Sequence, residues 1–126
     1  MKTLLTIFTL VFTVMFSSTS FSGWTKFGHG GGTTYYMDLE RIRKQGGYVY
    51  YWVLHDYLKP TKQGHLSIKS YNQGDCKVMR YKYLSAVFHN QPMGRDTGKT
   101  IKPPDQWEYA SPNTVEEFFL EKACSR

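Results

Sequence analysis

Four consecutive residues, His29-Gly30-Gly31-Gly32, have the composition of an oxyanion hole. In lipases and esterases a loop of this type aims a backbone N–H at the negative oxygen of a tetrahedral intermediate. That chemistry also needs a serine on a sharp strand-to-helix turn, flanked as Gly-x-Ser-x-Gly. The serines beyond residue 22 are Ser67, Ser70, Ser85, Ser111 and Ser125, and none has that setting. Consecutive glycines have a simpler use, because they reach positive φ without steric cost and let two short strands turn back on each other. The stretch therefore predicts a loose hairpin turn, with His29 as a loop histidine.

The other reactive residues assemble no better. His29, His55, His65 and His89 show no metal-ligand spacing of the His-Glu-x-x-His kind. His55 precedes Asp56, but neighbours on a strand point to opposite faces, so the two cannot form a dyad. Asp38, Asp56 and Asp75 fall near expected strand ends, where a carboxylate caps a turn. The sequence thus offers no catalytic residue, no metal site and no cofactor site.

The elements that carry these residues are mostly strands. "TTYYMD" is β-branched and aromatic, and "LERIRKQGG" runs into a Gly46-Gly47 turn. The strongest signal is "YVYYWVLHDYLKP", with Val49, Tyr51 and Val53 on one face and Tyr50, Trp52 and Leu54 on the other. Both faces are apolar, which predicts a central strand covered on both sides, with Trp52 buried. "HLSIKSYNQ" alternates, and "GDCKVMRYKYLSAVFHN" reads as one further long strand. In it Arg80 and Lys82 interrupt a face otherwise carrying Cys76, Val78, Leu84, Ala86 and Phe88. Unpaired charges are seldom buried, so this part should leave the core and face water. "TVEEFFLEKAC" is the one convincing helix: Thr114 and Glu117 have capping-box spacing, and Val115, Phe119 and Ala123 form an apolar stripe. The fold class is α+β, an antiparallel sheet with one C-terminal helix packed on it.

The N-terminus sets the compartment. Lys2, an apolar run from Leu4 to Phe16, and small residues at Ser20 and Ser22 read as an export signal over residues 1–22. Thirteen helical residues would reach about 20 Å, short of a hydrocarbon core of about 30 Å, so the run should not span a membrane. Gly23 stands at the cleavage site, so no cysteine is there to be lipidated. The product should be a single soluble domain, residues 23–126, in the periplasm, outside the cell or on its surface. An even count of cysteines in an exported chain predicts a disulfide between Cys76 and Cys124, which would staple the helix to the sheet.

Charge and aromatics suggest how such a domain binds. The chain carries net charge +6, or +5 once Lys2 is removed, and 17% of it is aromatic. Its basic residues are dispersed, with no run longer than "RIRK", which argues against nucleic acid and for acidic surfaces. Arg80, Lys82, Arg41 and Lys44 are the candidate binding residues, with Arg43 adding charge in the connection that holds Arg41 and Lys44.

The order of "TTYYMD", "IRKQGGYVYYWVLHDY", "SIKSYNQGDCKVMRY", "MG", Trp107 and "TVEEFFLEKAC" resembles the surface-adhesin protein E family. The resemblance spans roughly Trp24 to Cys124 and rests on order and spacing, with no single diagnostic motif. The positions that match are Asp38, Trp52, Asp56, Asp75, Cys76, Trp107 and Cys124. It implies an antiparallel sheet with a C-terminal helix, and a non-enzymatic adhesin that binds host matrix or serum proteins such as laminin and vitronectin. The sequence itself leaves a homodimer open. The competing expectation is a periplasmic small-ligand-binding or housekeeping factor, using a pocket between sheet and helix.

Overall fold

A computed structural model describes residues 23–126, so the expected signal segment, residues 1–22, lies outside the described residues. The first hairpin joins β1 (Trp24–Gly30) to β2 (Thr33–Asp38). Gly31 and Gly32 form its two-residue turn at φ 59° and 82°, the left-handed pair that a tight hairpin of this twist requires. The glycine run is thus a turn, but a tight one. His29 is not in a loop: it belongs to β1, opposite Thr34.

Asp38 then closes the first strand pair. Its carboxylate accepts from Glu40 N at 3.2 Å and from the Arg41 guanidinium, which starts a single 3-10 turn at Leu39–Arg41. A short strand β3 (Arg43–Gln45) follows and turns through Gly46-Gly47 into β4 (Tyr48–Tyr57). β2 and β3 lie along the same edge of β4, pairing with Val53–Tyr57 and Tyr48–Tyr50 respectively. Next come β5 (Ser67–Asp75), β6 (Arg80–His89), β7 (Lys99–Ile101) and β8 (Glu108–Tyr109). All pairings are antiparallel, in the order β1-β2-β4-β5-β6-β7, with β8 also on β6. The C-terminal helix α1 (Val115–Ser125) packs across β4 and β5.

Helix α1 starts where its side chains can satisfy its free N–H groups. Thr114 Oγ1 accepts from Glu117 N, while Glu117 reaches back to Asn113 N, one residue before the cap. Phe119, Leu120 and Ala123 are buried against Met37, Val49, Tyr51 and Val53. Gly74 gives the helix its seat: a Cβ there would overlap a Leu120 methyl and stand 2.9 Å from Val49 Cγ2. At the other end of the helix, Cys124 is bonded to Cys76, as the sequence predicts, with their Cα atoms 5.8 Å apart. No helix among the described residues is long and apolar enough to cross a membrane.

Two expectations about strands change. The stretch from Gly74 to Asn90 is not one strand, because the chain turns at Cys76–Met79, with Asp75 accepting from Lys77 N at 3.1 Å. Met79 takes φ 53° to close that turn, at a position with no glycine, proline or asparagine to mark it. Within β6 the register slips: Ser85 faces Tyr71, but Tyr83 faces Asn72, so Leu84 is an inserted residue. This bulge reverses the facing of everything beyond it. Arg80 and Lys82 therefore share a face with Ser85 and Val87, whereas Ala86 and Phe88 lie on the helix side. The two charges never interrupted an apolar face.

Candidate binding surface

The sheet has one face under α1 and one turned away from it. Because Val49, Tyr51 and Val53 point at the helix, Tyr48, Tyr50 and Trp52 must point outward. Register extends this face across four strands. Arg43, Tyr50, Gln73 and Lys82 stand directly opposite one another on β3, β4, β5 and β6, and Trp52, Tyr71 and Ser85 form the next row.

These side chains contact one another. Trp52 and Tyr71 stack with ring centroids 4.9 Å apart, and Arg41 lies 5.9 Å above the Trp52 ring. Arg43 sits 5.5 Å from the Tyr50 ring and donates from Nη2 to Tyr71 Oη at 2.9 Å. Gln73 Nε2 donates to Tyr50 Oη at 3.2 Å. Trp107, from the segment between β7 and β8, folds over the far side. Its ring is 5.6 Å from Tyr48, 4.3 Å from the Arg80 guanidinium and 4.4 Å from Lys82 Nζ. The result is an aromatic platform studded with cations. Trp52 is only half-buried and is not enclosed between layers; Leu54, on the same face, is fully buried.

The candidate cations fare differently. Arg80 and Lys82 do point away from the helix, but they do not stand free in water: 28% and 16% of their side-chain surfaces remain exposed. Arg80 donates to Asp75 at 3.0 Å and Lys82 to Asp105 at 2.6 Å. Lys82, by its hydrogen bond and charge, holds the Asp105 carboxyl below its ordinary pKa. Arg41 is paired with Asp38. Lys44 lies opposite Val49 and so turns to the helix side, beside the disulfide, apart from the others. Arg43 and Lys69, the latter opposite Leu54 on β5, are cations of this face that, among the described residues, have no carboxylate within salt-bridge distance, and of the two Arg43 is the one that contacts the rings. Sequence reasoning placed it with the basic group but missed Tyr50 and Tyr71 as its partners, and Trp107 as the ring beneath Arg80 and Lys82. The alternation of Tyr48, Tyr50 and Trp52 was the available signal for the platform.

A second feature was not anticipated. His89 is fully buried, its Nδ1 lies 2.7 Å from Asp96 Oδ1, and Ser67 stands opposite it on β5. This resembles a triad by composition only. The Ser67 hydroxyl donates to Gln91 O at 2.6 Å and accepts from Gly94 N at 2.8 Å, leaving His89 Nε2 without a partner. With Asp56 accepting from Met93 N at 2.7 Å, the cluster anchors the loop after β6. On the helix side, an apolar groove of about 670 Å³ runs between β1 and α1, floored by Phe27 and Tyr35 and walled by Val115 and Phe118. Among the described residues, no group of three or more His, Cys, Asp or Glu is placed to hold a metal ion.

Comparison with known proteins agrees with this architecture. Two crystal structures of Haemophilus influenzae protein E share the fold. The first, crystal form II, has TM-score 0.59 and 18% identity over 82% of this chain and 88% of that one. The second, from a non-typeable strain, has TM-score 0.52 and 16% identity over 79% and 74%. No curated protein matches significantly. A family model described as "Surface-adhesin protein E" matches residues 24–125, nearly all of the described chain, and the protein belongs to that family.

Proposed function

We propose that this protein is an exported, non-enzymatic binding domain, residues 23–126, that attaches to host matrix or serum proteins through the outer face of its sheet. The observation that carries this reading is the platform of Tyr50, Trp52 and Tyr71 with Arg41 and Arg43 above it. Tryptophan, tyrosine and arginine are the residues that dominate binding energy at protein interfaces, since they combine large rigid area with hydrogen bonding. The main hydrophobic cluster lies on the other side of the sheet, and these half-buried rings pack on one another instead of being enclosed beneath a second layer. Family membership supports the same class of activity.

Arg41, Arg80 and Lys82 serve mainly to hold rings in place, and Arg43 supplies the cation offered to an acidic partner. Lys44 has no part in this face. The test is attachment of the purified protein to immobilised laminin, vitronectin and heparin, compared with a variant carrying Arg43→Glu and Trp52→Ala. Loss of two such anchors should weaken attachment at least about thirtyfold. A wild type that binds none of the three, or a variant that binds equally well, would sink the reading. Labelling of intact cells by an antibody to the domain tests whether it is reachable from outside.

A further inference from the structure

Strand β1 ends the sheet. It pairs with β2 along one edge, and among the described residues no strand covers its other edge. Such an edge presents a row of N–H and C=O groups able to pair with another chain. The apolar groove lies immediately beside it, bounded on one side by Phe27, Gly28 and His29 of β1 and on the other by α1. Phe118 on that wall is 54% exposed, a large apolar side chain held at the rim of the groove. An exposed strand edge and an apolar groove are separate features, and here they converge.

We propose that they form one docking site, taking an extended peptide segment of another protein, apolar at alternate residues. The peptide would add to β1 as an outer strand, and every second side chain would drop between β1 and the helix. The strand edge selects this occupant. An acyl chain could fill the groove, but it would leave the β1 backbone groups unpaired, and a docking helix would do the same. Side chains on one face of a strand recur about every 6.8 Å, so the seven residues of β1 span room for three of them. The register slip between Lys26 and Gly28 divides the edge, which blunts indiscriminate strand pairing and leaves selectivity to the groove. Charge selects little, since Glu121 and Lys122 line the groove together. This site faces away from the aromatic platform, and its test does not depend on adhesion.

The experiment pans a displayed library of random nonapeptides on the purified, oxidised protein, then measures a labelled synthetic copy of the most enriched sequence by fluorescence anisotropy and amide shift mapping. The expected result is a sequence apolar at alternate positions that shifts the amides of Trp24–Gly30 and of Val115 to Ser125. N-methylation of alternate peptide amides should weaken binding at least about tenfold in one register and leave it within about twofold in the other. Phe118→Glu should weaken it comparably, and because Phe118 is largely exposed the variant should keep the wild-type circular dichroism. No enriched peptide, shifts confined elsewhere, or equal tolerance of both methylated registers would overturn the proposal. So would dilution-dependent shifts at β1 showing that a second copy of this chain occupies the edge.

Discussion

Replacing Cys76 and Cys124 together by serine should cost the protein about 4 kcal/mol. The bond links residues 48 apart. In the chain-entropy model, closing a loop of that size removes roughly 14 cal/mol/K from the unfolded ensemble, which at 25 °C is the stated energy. The folded state has little reason to change, because the helix remains seated on Gly74 through Leu120, and Phe119 still packs 5.5 Å from Phe27. The loss should therefore appear as a lower urea midpoint with a somewhat steeper denaturant slope, because the unlinked unfolded chain is more expanded. At roughly 2.1 cal/mol/K of unfolding entropy per residue, a domain of this size should melt about 15–20 °C lower. The double replacement is preferable to a single one, which would leave a thiol free to cross-link two chains. Urea unfolding followed by helical circular dichroism, in protein purified under oxidising conditions, checks the magnitude. A loss below about 1 kcal/mol would refute the entropic argument for this loop. Two reactive thiols per chain in unfolded, non-reduced protein would refute the bond.

Gly74→Ala should cost about 1–3 kcal/mol by pushing Leu120 off the sheet, and an unchanged urea midpoint would show that the helix seat is looser than its geometry. Burial lowers the pKa of His55, an effect that Glu116 partly opposes. The unfolded chain then binds the proton more readily, so stability should be full above about pH 7 and fall as pH drops through about 6.5, by at most about 1.4 kcal/mol per pH unit. His55→Gln should flatten that part of the melting profile, and an unchanged profile would reject the assignment. Trp107→Ala should destabilise by about 1 kcal/mol through its two stacked cations, with a double-mutant cycle against Lys82→Met giving a coupling above zero. Attachment through the platform should weaken only about threefold between 50 and 300 mM salt, because most of its cations are already paired; a hundredfold loss would show that free charges dominate.

Much of this architecture was legible because local chemistry and tertiary need agree. β4 is aromatic and β-branched along most of its length, and it became the centre of the sheet. Thr114, the apolar stripe of α1 and the two cysteines pointed to one helix clamped at its end. What was not legible depended on an irregularity or on a distant partner. The turn at Cys76–Met79 has no conventional turn residue, and Met79 enters the left-handed region only because Asp75 and the paired strands hold it there. The inserted Leu84 has no signature either. A one-residue slip changes which face each side chain takes, so parity grouped Arg80 and Lys82 with Ala86 and Phe88, whose face they do not share, and only their charge pointed them away from the core.

The same partners change what the surface can recognise. In the sequence, Arg41, Lys44, Arg80 and Lys82 looked like one dispersed cationic patch. In the fold, Lys44 turns away, while Asp38, Asp75 and Asp105 each pair with one of the other three. Asp105 lies 23 residues from Lys82, so no local pattern announces the pairing. Each of these pairs has one partner largely out of water and one closer to it, and each arginine or lysine here also lies over an indole. Their effect is to fix the orientation of Trp52 and Trp107, which reduces the side-chain entropy that a partner would otherwise have to remove. A surface organised this way favours a ligand that offers apolar area and a few hydrogen-bonding groups over a polyanion that offers charge alone. Protein partners fit that description better than heparin does, and on the immobilised surfaces heparin should be the weakest of the three.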